Sequence, residues 1–228
     1  MATIAANIQQ VRERIARACA AARRPVQSVT LLTVSKTFSA AHVREAHAAG
    51  ERRFGENYVQ EAIDKIEALA DLRREIEWHL IGPLQSNKTR VAAEAFDWVH
   101  SVDRLKIAER LSAQRPADLP PLNVCLQVNV SGEASKSGVA PEELPALAHA
   151  VAQLPGVRLR GLMSIPEASD DPAAQAAPHR ALHALYVGLQ REGLALDTLS
   201  MGMSGDLEAA IGEGATLVRV GTAIFGRR

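Results

Sequence analysis

The chain has 228 residues, of which 47% are hydrophobic and 23% are charged, and its 26 basic residues balance 26 acidic ones. This composition is typical of a folded globular protein, and the lack of a basic tract argues against a nucleic-acid-binding protein. No apolar run approaches the ~20 residues that span a bilayer, so we expect no membrane segment. Cys19 and Cys125 lie far apart in no CxxC or His/Cys motif, so we predict reduced thiols in a cytoplasmic protein.

The chain begins with a helical pattern. Apolar side chains recur three and four residues apart, at Ile4, Ile8, Val11, Ile15 and Cys19. This spacing predicts an amphipathic helix over residues 3–22 that packs on a larger body, and Pro25 ends it. The segment is rich in arginine and poor in acidic residues, as transit peptides are, but its regular apolar stripe favours a structural helix.

Strand-like and helix-like segments alternate after Pro25. The predicted strands are 30–37, 52–56, 77–82, 98–102, 123–129, 159–165, 198–203 and 216–225. The predicted helices between them are 39–49, 57–70, 86–95, 103–114, 141–153, 173–192 and 205–213. Eight strands separated by helices predict an α/β fold, a (β/α)8 TIM barrel, with a doubly wound open sheet as the competing architecture.

The order of these segments suggests how the barrel is completed. The sequence shows no long helical pattern after the eighth strand, so one groove on the outside of the barrel lacks its usual helix. We expect the N-terminal helix, within residues 3–24, to fill that groove. Residues 1–228 would then form a single domain.

Lys36 is the first candidate for chemistry. It ends the apolar run Leu31-Leu32-Thr33-Val34-Ser35, where an ammonium is costly unless it is paired, solvated or neutralised. Only five of the 26 basic residues are lysines, and a lysine, unlike an arginine, can lose its proton and condense with a carbonyl compound. The structural alternative is an ion pair between Lys36 and a carboxylate such as Glu56.

Two turns near the end of the chain resemble a phosphate site. Ser200-Met201-Gly202-Met203-Ser204-Gly205 follows the seventh strand, and Gly221 and Thr222 lie in the eighth. In TIM barrels phosphate groups bind at the loops after these two strands. Arg219 has Gly221 on the same side of the strand, so we expect its side chain to point into the barrel mouth, with an internal Arg–carboxylate pair as the alternative.

Two other polar positions have ordinary structural interpretations. Asn57 follows the second strand and could cap a helix that begins at Tyr58. His79, between Trp78 and Leu80, could be a base, although a hydrogen-bonded core histidine is the commoner case.

A lysine that can form a Schiff base, a phosphate cradle and an arginine able to face a pyridine nitrogen together suit pyridoxal 5′-phosphate (PLP). The chain also resembles the pyridoxal phosphate homeostasis protein family (YggS/PROSC type) over essentially its full length. The resemblance lies in seven ordered blocks: residues 31–37, 54–61, 78–88, 128–133, 161–166, 199–204 and 218–226.

The resemblance implies a barrel like that of alanine racemase, with PLP bound to Lys36 as a Schiff base. It places Asn57 beside the cofactor, Arg219 on the pyridine nitrogen, and three residues on the phosphate, namely Ser200, Gly221 and Thr222. An arginine at that nitrogen disfavours its protonation and weakens the electron sink of the ring. The resemblance therefore implies a PLP carrier with no catalytic residues.

Two other functions remain open at this point. A minimal amino-acid racemase would use His79 or water as its second base, and a lysine-dependent aldolase would act without PLP. Lys136 is a second loop lysine that could receive PLP transiently. We expect a monomer whose ligand is PLP and whose protein partners, where it has any, are PLP-dependent apo-enzymes met transiently.

Overall fold

The computed structural model describes residues 3–131 and 137–226. Lys136 lies outside these ranges, so its predicted role has no structural counterpart here. The described chain contains eight β-strands: β1 (Thr30–Val34), β2 (Arg53–Glu56), β3 (Glu77–Leu80), β4 (Trp98–Val102), β5 (Leu122–Gln127), β6 (Val157–Met163), β7 (Thr198–Ser200) and β8 (Leu217–Val220).

The α-helices of the described chain alternate with these strands, except that α1 precedes β1. They are α1 (Ile4–Ala21), α2 (Ala40–Ala48), α3 (Val59–Ala68), α4 (Thr89–Ala95), α5 (Leu105–Gln114), α6 (Leu144–Ala152), α7 (Pro172–Arg191), α8 (Leu207–Gly212) and α9 (Thr222–Phe225). None of them is both long and apolar enough to cross a membrane.

The strands form a closed parallel barrel in sequence order. Closure occurs between β1 and β8, which pair in parallel from Thr30 opposite Leu217 to Thr33 opposite Val220. This confirms the predicted (β/α)8 TIM barrel and rules out the open doubly wound sheet. Because all the strands run the same way, their carboxyl ends meet at one mouth, where the candidate residues were expected.

Six predicted strands extend too far at their carboxyl ends, and the three largest errors are at β1, β7 and β8. The structure ends β1 at Val34 and β7 at Ser200, and it ends β8 at Val220, so the predicted strand 216–225 contains the short helix α9. The backbone explains two of these endings, because Thr37 and Gly202 both have positive φ angles, 71° and 91°, which a strand does not contain. These errors all fall at the mouth, where strands turn into loops.

The apolar side chains separate into layers. One large cluster packs between the strands and the helices, and two small clusters form apart from it. The first small cluster consists of Leu32, Val34, Ile81 and Leu217, and the second of Trp98, Cys125 and Met163. Side chains of a barrel strand alternate between outside and inside, so the small clusters mark the interior face. Arg219 shares the parity of Leu217, and its side chain therefore points into the barrel, as predicted.

Helix α1 packs against α2, α8 and α9, beside the groove that follows β8. The apolar stripe predicted from the sequence, at Ile4, Ile8, Val11, Ile15 and Cys19, is buried there. Polar contacts fix the helix in place. Asn7 Nδ2 donates to the carbonyl oxygen of Ile224 at 2.8 Å, and Arg12 binds the buried carboxylate of Glu51 at 2.7 Å.

Substitution of Ile8 by alanine tests the contribution of α1 to the stability of the barrel. Ile8 is 1% exposed, and Ile→Ala at such a site costs about 2–5 kcal/mol through lost burial and the remaining cavity. Gln9→Ala, on the exposed face of the same helix, should change the free energy of unfolding by less than about 0.5 kcal/mol. Urea denaturation of both variants measures the difference.

Deletion of residues 1–24 should leave an insoluble protein, and a soluble, cooperatively melting truncation would contradict the role of α1 in completing the barrel.

Candidate functional site

A cavity of about 650 Å³ opens at the carboxyl ends of the strands. Its lining includes five of the six residues predicted from the sequence: Lys36, Asn57, Arg219, Gly221 and Thr222. The volume lies within the range of small-molecule and cofactor sites, roughly 300–1,000 Å³. Apolar side chains form much of the remaining wall, namely Val34, Phe38, Ile81, Ile165 and Met203.

Lys36 lies two residues beyond β1, and its side chain is exposed at this cavity. The alternative of an ion pair with Glu56 is wrong, because the Oε1 atom of Glu56 is bound by Lys65 Nζ at 2.8 Å and by Ser35 Oγ at 2.6 Å. Lys36 is exposed to solvent, and no ion pair joins it to a carboxylate of the described residues. The amine of Lys36 is therefore accessible to a ligand that enters the mouth.

The turn that carries Lys36 is held on both sides by one buried cluster. Lys65, 5% exposed, donates from Nζ to the carbonyl oxygen of Ser35 at 2.7 Å and to Glu56 and Glu61, each at 2.8 Å. Glu61 in turn accepts a hydrogen bond from the backbone N–H of Thr37. Ser35 and Thr37, on either side of Lys36, are thus both held by one cluster, formed by Lys65, Glu56 and Glu61.

Thr37 has a backbone conformation that needs this support. Its φ of 71° lies in the left-handed region, which is unfavourable for a β-branched residue. The hydrogen bond from its N–H to Glu61 compensates part of the strain. Burial raises the pKa of Glu56, while Lys65 and Ser35 act in the opposite direction. The cluster therefore combines backbone strain and buried charge beside the candidate nucleophile.

Arg219 lines the cavity from β8, the strand that pairs with β1. It is 4% exposed, and it donates from Nη1 to the Ser200 carbonyl at 2.6 Å and Ser200 Oγ at 2.9 Å, and from Nη2 to the Ser164 carbonyl at 2.8 Å. Burial lowers its pKa to about 10, so the guanidinium stays charged at neutral pH. Its bonds within the described chain are to Ser200 and Ser164. An arginine has five N–H donors, so two remain for a ligand.

Ser200, the sixth predicted residue, does not line the cavity. Its side chain is fully buried, and its Oγ atom lies 2.8 Å from His100 Nδ1 as well as accepting from Arg219. The hydroxyl that does reach the cavity from this segment belongs to Ser204. The predicted segment does reach the cavity, but alternation along a three-residue strand could not show which of its two serines lines it.

The loop from β7 to α8 is built to approach the cavity closely. Gly202 has a φ of 91°, and a Cβ at this position would lie 2.5 Å from the Cβ of Ala210. Further along, Asp206 accepts from the N–H of Met203 at 2.6 Å and pairs with the buried His179 at 2.9 Å. The intervening residues, Ser204 and Gly205, are therefore held at the cavity wall.

Asn57 has a different role from the expected helix cap. Helix α3 begins at Val59, its N-cap is Tyr58, and no side chain caps it. The backbone of Asn57 packs directly on Gly82, where a Cβ would lie 2.1 Å from the Asn57 carbonyl oxygen. This contact fixes the Asn57 backbone where the residue meets the cavity.

His79 is a core residue and does not line the cavity. It is fully buried, with Nε2 2.9 Å from Glu77 Oε1 and Nδ1 2.9 Å from His100 Nε2. Burial lowers the pKa of both histidines, and for His100 the neighbouring His79 and Arg219 add to the effect. A base at His79 for the racemase alternative therefore lacks support in the geometry.

Sequence reasoning missed the residues that support the site. Lys65, Glu61 and His100 lie on elements predicted for their apolar residues, and each acts through contacts between separate parts of the chain. A charged residue on the buried side of a helix, as Lys65 is on α3, was the one available signal. Phe38, Ile165 and Met203 were missed because loop residues follow no periodic pattern.

The donor set suits a phosphorylated carbonyl compound. Lys36 supplies an accessible amine, Ser204 and Thr222 supply hydroxyls, Gly205 and Gly221 leave space for close approach, and Arg219 supplies charged donors. A barrel with these groups at the mouth defines a lysine-bearing binding protein for an anionic, carbonyl-containing ligand.

Comparisons with known proteins identify the family. The family model described as alanine racemase, N-terminal domain, matches residues 1–228. The chain is 68% identical over 228 residues to the pyridoxal phosphate homeostasis protein of Pseudomonas aeruginosa, covering 100% of this chain and 97% of that one. It is 53% identical over 229 residues to the protein of the same name from Escherichia coli, covering 100% and 98%. The chain therefore belongs to the pyridoxal phosphate homeostasis proteins, within the alanine racemase N-terminal domain family.

Solved structures agree with this assignment. PipY of Synechococcus elongatus with PLP bound is 44% identical, has a TM-score of 0.82, and is matched over 93% of this chain and 100% of its own. Alanine racemase from Corynebacterium glutamicum, at 16% identity and a TM-score of 0.70 over 95% of this chain and 61% of its own, shares the fold.

The ion pair between Lys65 and Glu56 gives a test of the cluster that holds the Lys36 turn. Lys65→Met leaves the buried Glu56 carboxylate without its cation and should lower the free energy of unfolding by about 3–5 kcal/mol. Lys106→Met, at an exposed lysine of α5, should be nearly neutral. Urea denaturation compares the two variants. The double variant Glu56→Gln/Lys65→Met should recover part of the loss, and an equal or larger loss would show that charge is not the cause.

The buried histidines predict how stability depends on pH. Unfolded histidine titrates near pH 6.5, whereas folded His79 and His100 have lowered pKa values, so the unfolded state binds more protons as the pH falls below about 6.5. Stability should be fully present above that pH and should fall at lower pH, by at most about 1.4 kcal/mol per pH unit for each histidine. The charged groups acting on this pair are Glu77, Asp97, Arg53 and Arg219.

Urea denaturation between pH 8 and pH 5 measures this dependence. His100→Gln should have a smaller slope than the wild type, because one titrating group is gone. His149→Gln, at an exposed histidine of α6 whose Nε2 lies 2.9 Å from Glu192 Oε2, serves as the surface control. Equal slopes for the two variants would mean that His100 does not titrate in the unfolding reaction.

Proposed function

We propose that this chain binds PLP as a Schiff base on Lys36 and acts in PLP homeostasis as a carrier, without strong catalysis. One observation carries the proposal: the exposed amine of Lys36 and the buried guanidinium of Arg219 line the same cavity, on the two strands that close the barrel. The PLP-bound structure of PipY, 44% identical to this chain, supports the choice of ligand.

PLP supplies an aldehyde that condenses with an amine, with loss of water, and a pyridine ring that can act as an electron sink. Lys36 would hold the cofactor covalently through its Nζ amine, because an unprotonated lysine can act as a nucleophile toward an aldehyde. Ser204, Thr222 and the backbone at Gly221 would hold the phosphate. Asn57 would lie beside the ring, with its backbone fixed by Gly82.

Arg219 would face the ring nitrogen with its two remaining donors. A charged guanidinium in that position disfavours a proton on the nitrogen, because two positive charges would then be adjacent. The electron sink is weakened as a result. This effect favours a bound cofactor that reacts slowly over one that drives turnover.

The lining of the cavity also favours a carrier. Among the described residues that line it, Lys36 and Arg219 are the titratable ones, so no second acid–base group stands opposite Lys36. The chain's tyrosines lie elsewhere. Tyr58 is exposed outside the lining, and Tyr186 is buried with its hydroxyl donating to the Leu196 carbonyl. The exposure of Lys36 would let an apo-enzyme or an amine take the cofactor from the mouth.

Replacement of Lys36 tests the attachment. Wild-type protein titrated with PLP should develop the visible absorbance of a lysine adduct, and Lys36→Ala should lose most of it because the amine is gone. Lys88→Ala, which removes a half-buried lysine in the loop after β3, is the matched control and should keep the wild-type signal. Lys136→Ala forms a third arm. If Lys136→Ala rather than Lys36→Ala abolished the signal, the tether would lie on the other lysine.

Incubation of the PLP-loaded protein with L-alanine tests the absence of strong catalysis. Because the described residues that line the cavity include no second base, chiral chromatography should detect no more D-alanine than free PLP produces. Formation of D-alanine at enzyme-like rates, lost in Lys36→Ala, would instead establish the racemase alternative.

A further inference from the structure

A continuous chain of hydrogen bonds crosses the interior of the barrel behind Arg219. Arg219 Nη1 donates to Ser200 Oγ at 2.9 Å, and that oxygen lies 2.8 Å from His100 Nδ1. His100 Nε2 lies 2.9 Å from His79 Nδ1, and His79 Nε2 lies 2.9 Å from Glu77 Oε1. Ser200, His100 and His79 are each fully buried.

The two ends of this hydrogen-bond chain, Arg219 and Glu77, differ in exposure. Arg219 lines the cavity at the mouth, whereas Glu77 is the first residue of β3, and its side chain is 39% exposed. A second cavity, of about 380 Å³, opens beside Glu77 and His79 and is also lined by Arg53 and Arg160. The hydrogen-bond chain therefore links the ligand cavity at one end of the barrel with solvent at the other end.

The carboxylate end sets the direction of the bonds, and the guanidinium end is compatible with it. A guanidinium can only donate, so Ser200 Oγ accepts from Arg219; because a hydroxyl has one proton and two acceptor lone pairs, Oγ can still either donate to His100 Nδ1 or accept from it. At the other end, the ionised carboxylate of Glu77 can only accept, and interactions with His79 and Arg53 hold its pKa at about 2 despite burial. His79 therefore carries its proton on Nε2.

The direction set by Glu77 continues along the bonds to Ser200. Burial lowers the pKa of both histidines, so each ring is neutral at pH 7.5 and carries one proton. Because His79 has that proton on Nε2, its Nδ1 atom accepts and His100 donates from Nε2. His100 Nδ1 then accepts from Ser200 Oγ, a direction that the bond from Arg219 to Ser200 permits.

We infer that Ser200, His100, His79 and Glu77 are positioning residues that hold the Arg219 guanidinium at the cavity through a one-way hydrogen-bond chain. Its significance for the ligand rests on the proposed function, because Arg219 meets the pyridine nitrogen only if PLP occupies the cavity. The hydrogen-bond chain itself forms in the protein without ligand.

The arrangement has two physical consequences for Arg219. The Ser200 oxygen always presents its acceptor side to the guanidinium, because its proton is committed to His100. The histidines bring no second positive charge toward Arg219 while they stay neutral. Stacking of Trp98 on His79, with ring centroids 5.3 Å apart and an interplanar angle of 10°, holds the middle of the chain in place. Rotation of the guanidinium should therefore be slow.

Nuclear magnetic resonance of the protein without PLP tests the chain directly. Long-range ¹H–¹⁵N spectra at pH 7.5 should show both His79 and His100 as neutral Nε2–H tautomers. The two Nη atoms of Arg219 should give separate signals, because rotation about the Nε–Cζ bond is restricted. An Nδ1–H tautomer or a doubly protonated ring at either histidine would overturn the inference.

Ser200→Ala removes the link between Arg219 and His100. We expect the Nη signals of Arg219 to merge in this variant and its affinity for PLP to fall about tenfold, equivalent to about 1.4 kcal/mol. Thr198→Ala is the matched control. It removes a hydroxyl from the same face of β7, but that hydroxyl donates to Asp197 at 2.8 Å. Thr198→Ala should keep separate Nη signals and wild-type affinity.

The two readouts separate this inference from the proposed function. If wild-type protein takes up no PLP, the proposed function fails. The histidine tautomers and the Arg219 signals still decide whether the hydrogen-bond chain forms. If PLP binds at Lys36 but Ser200→Ala matches Thr198→Ala in affinity and in its Nη signals, the positioning role is wrong and the proposed function stands.

Discussion

The site depends on the buried ion pair between Lys65 and Glu56. Lys36 is exposed, and its side chain has no ion-pair partner among the described residues, so its place at the mouth is set by the residues on either side. Lys65 holds the Ser35 carbonyl, and through Glu61 the same cluster holds the strained Thr37. Buried pairs of this kind contribute little net stability, but they are costly to break, which suits them to fixing one backbone conformation.

A similar arrangement holds the other cation of the cavity. Arg219 lines the cavity, and its direction is set by Ser200 and the histidines behind it. Lys36 and Arg219 thus lie at strand ends, and buried charged or polar networks hold them. The structure combines an exposed lysine with a buried arginine, and the described lining residues include no other titratable group. Under the proposed function, this combination would retain a cofactor and leave it open to exchange.

Much of this could be read from the sequence, and the limits have physical causes. Alternating apolar runs predicted the barrel and α1, because burial patterns follow the periods of strands and helices. Lys36 and Arg219 were identifiable because a cation next to an apolar run is unusual. The ends of β1 and β7 were placed too late, because they depend on single backbone angles, at Thr37 and Gly202. The choice between Ser200 and Ser204, and the roles of Lys65 and His100, depend on contacts between distant segments that no local pattern records.

The central claim is that Lys36 is the residue that carries PLP. Reduction of the PLP-loaded protein with borohydride, followed by proteolysis and mass spectrometry, fixes the adduct on the lysine that formed it. The account predicts a stoichiometric pyridoxyl modification on the peptide that contains Lys36. Modification spread over the surface lysines, with the Lys36 peptide unmodified, would contradict it.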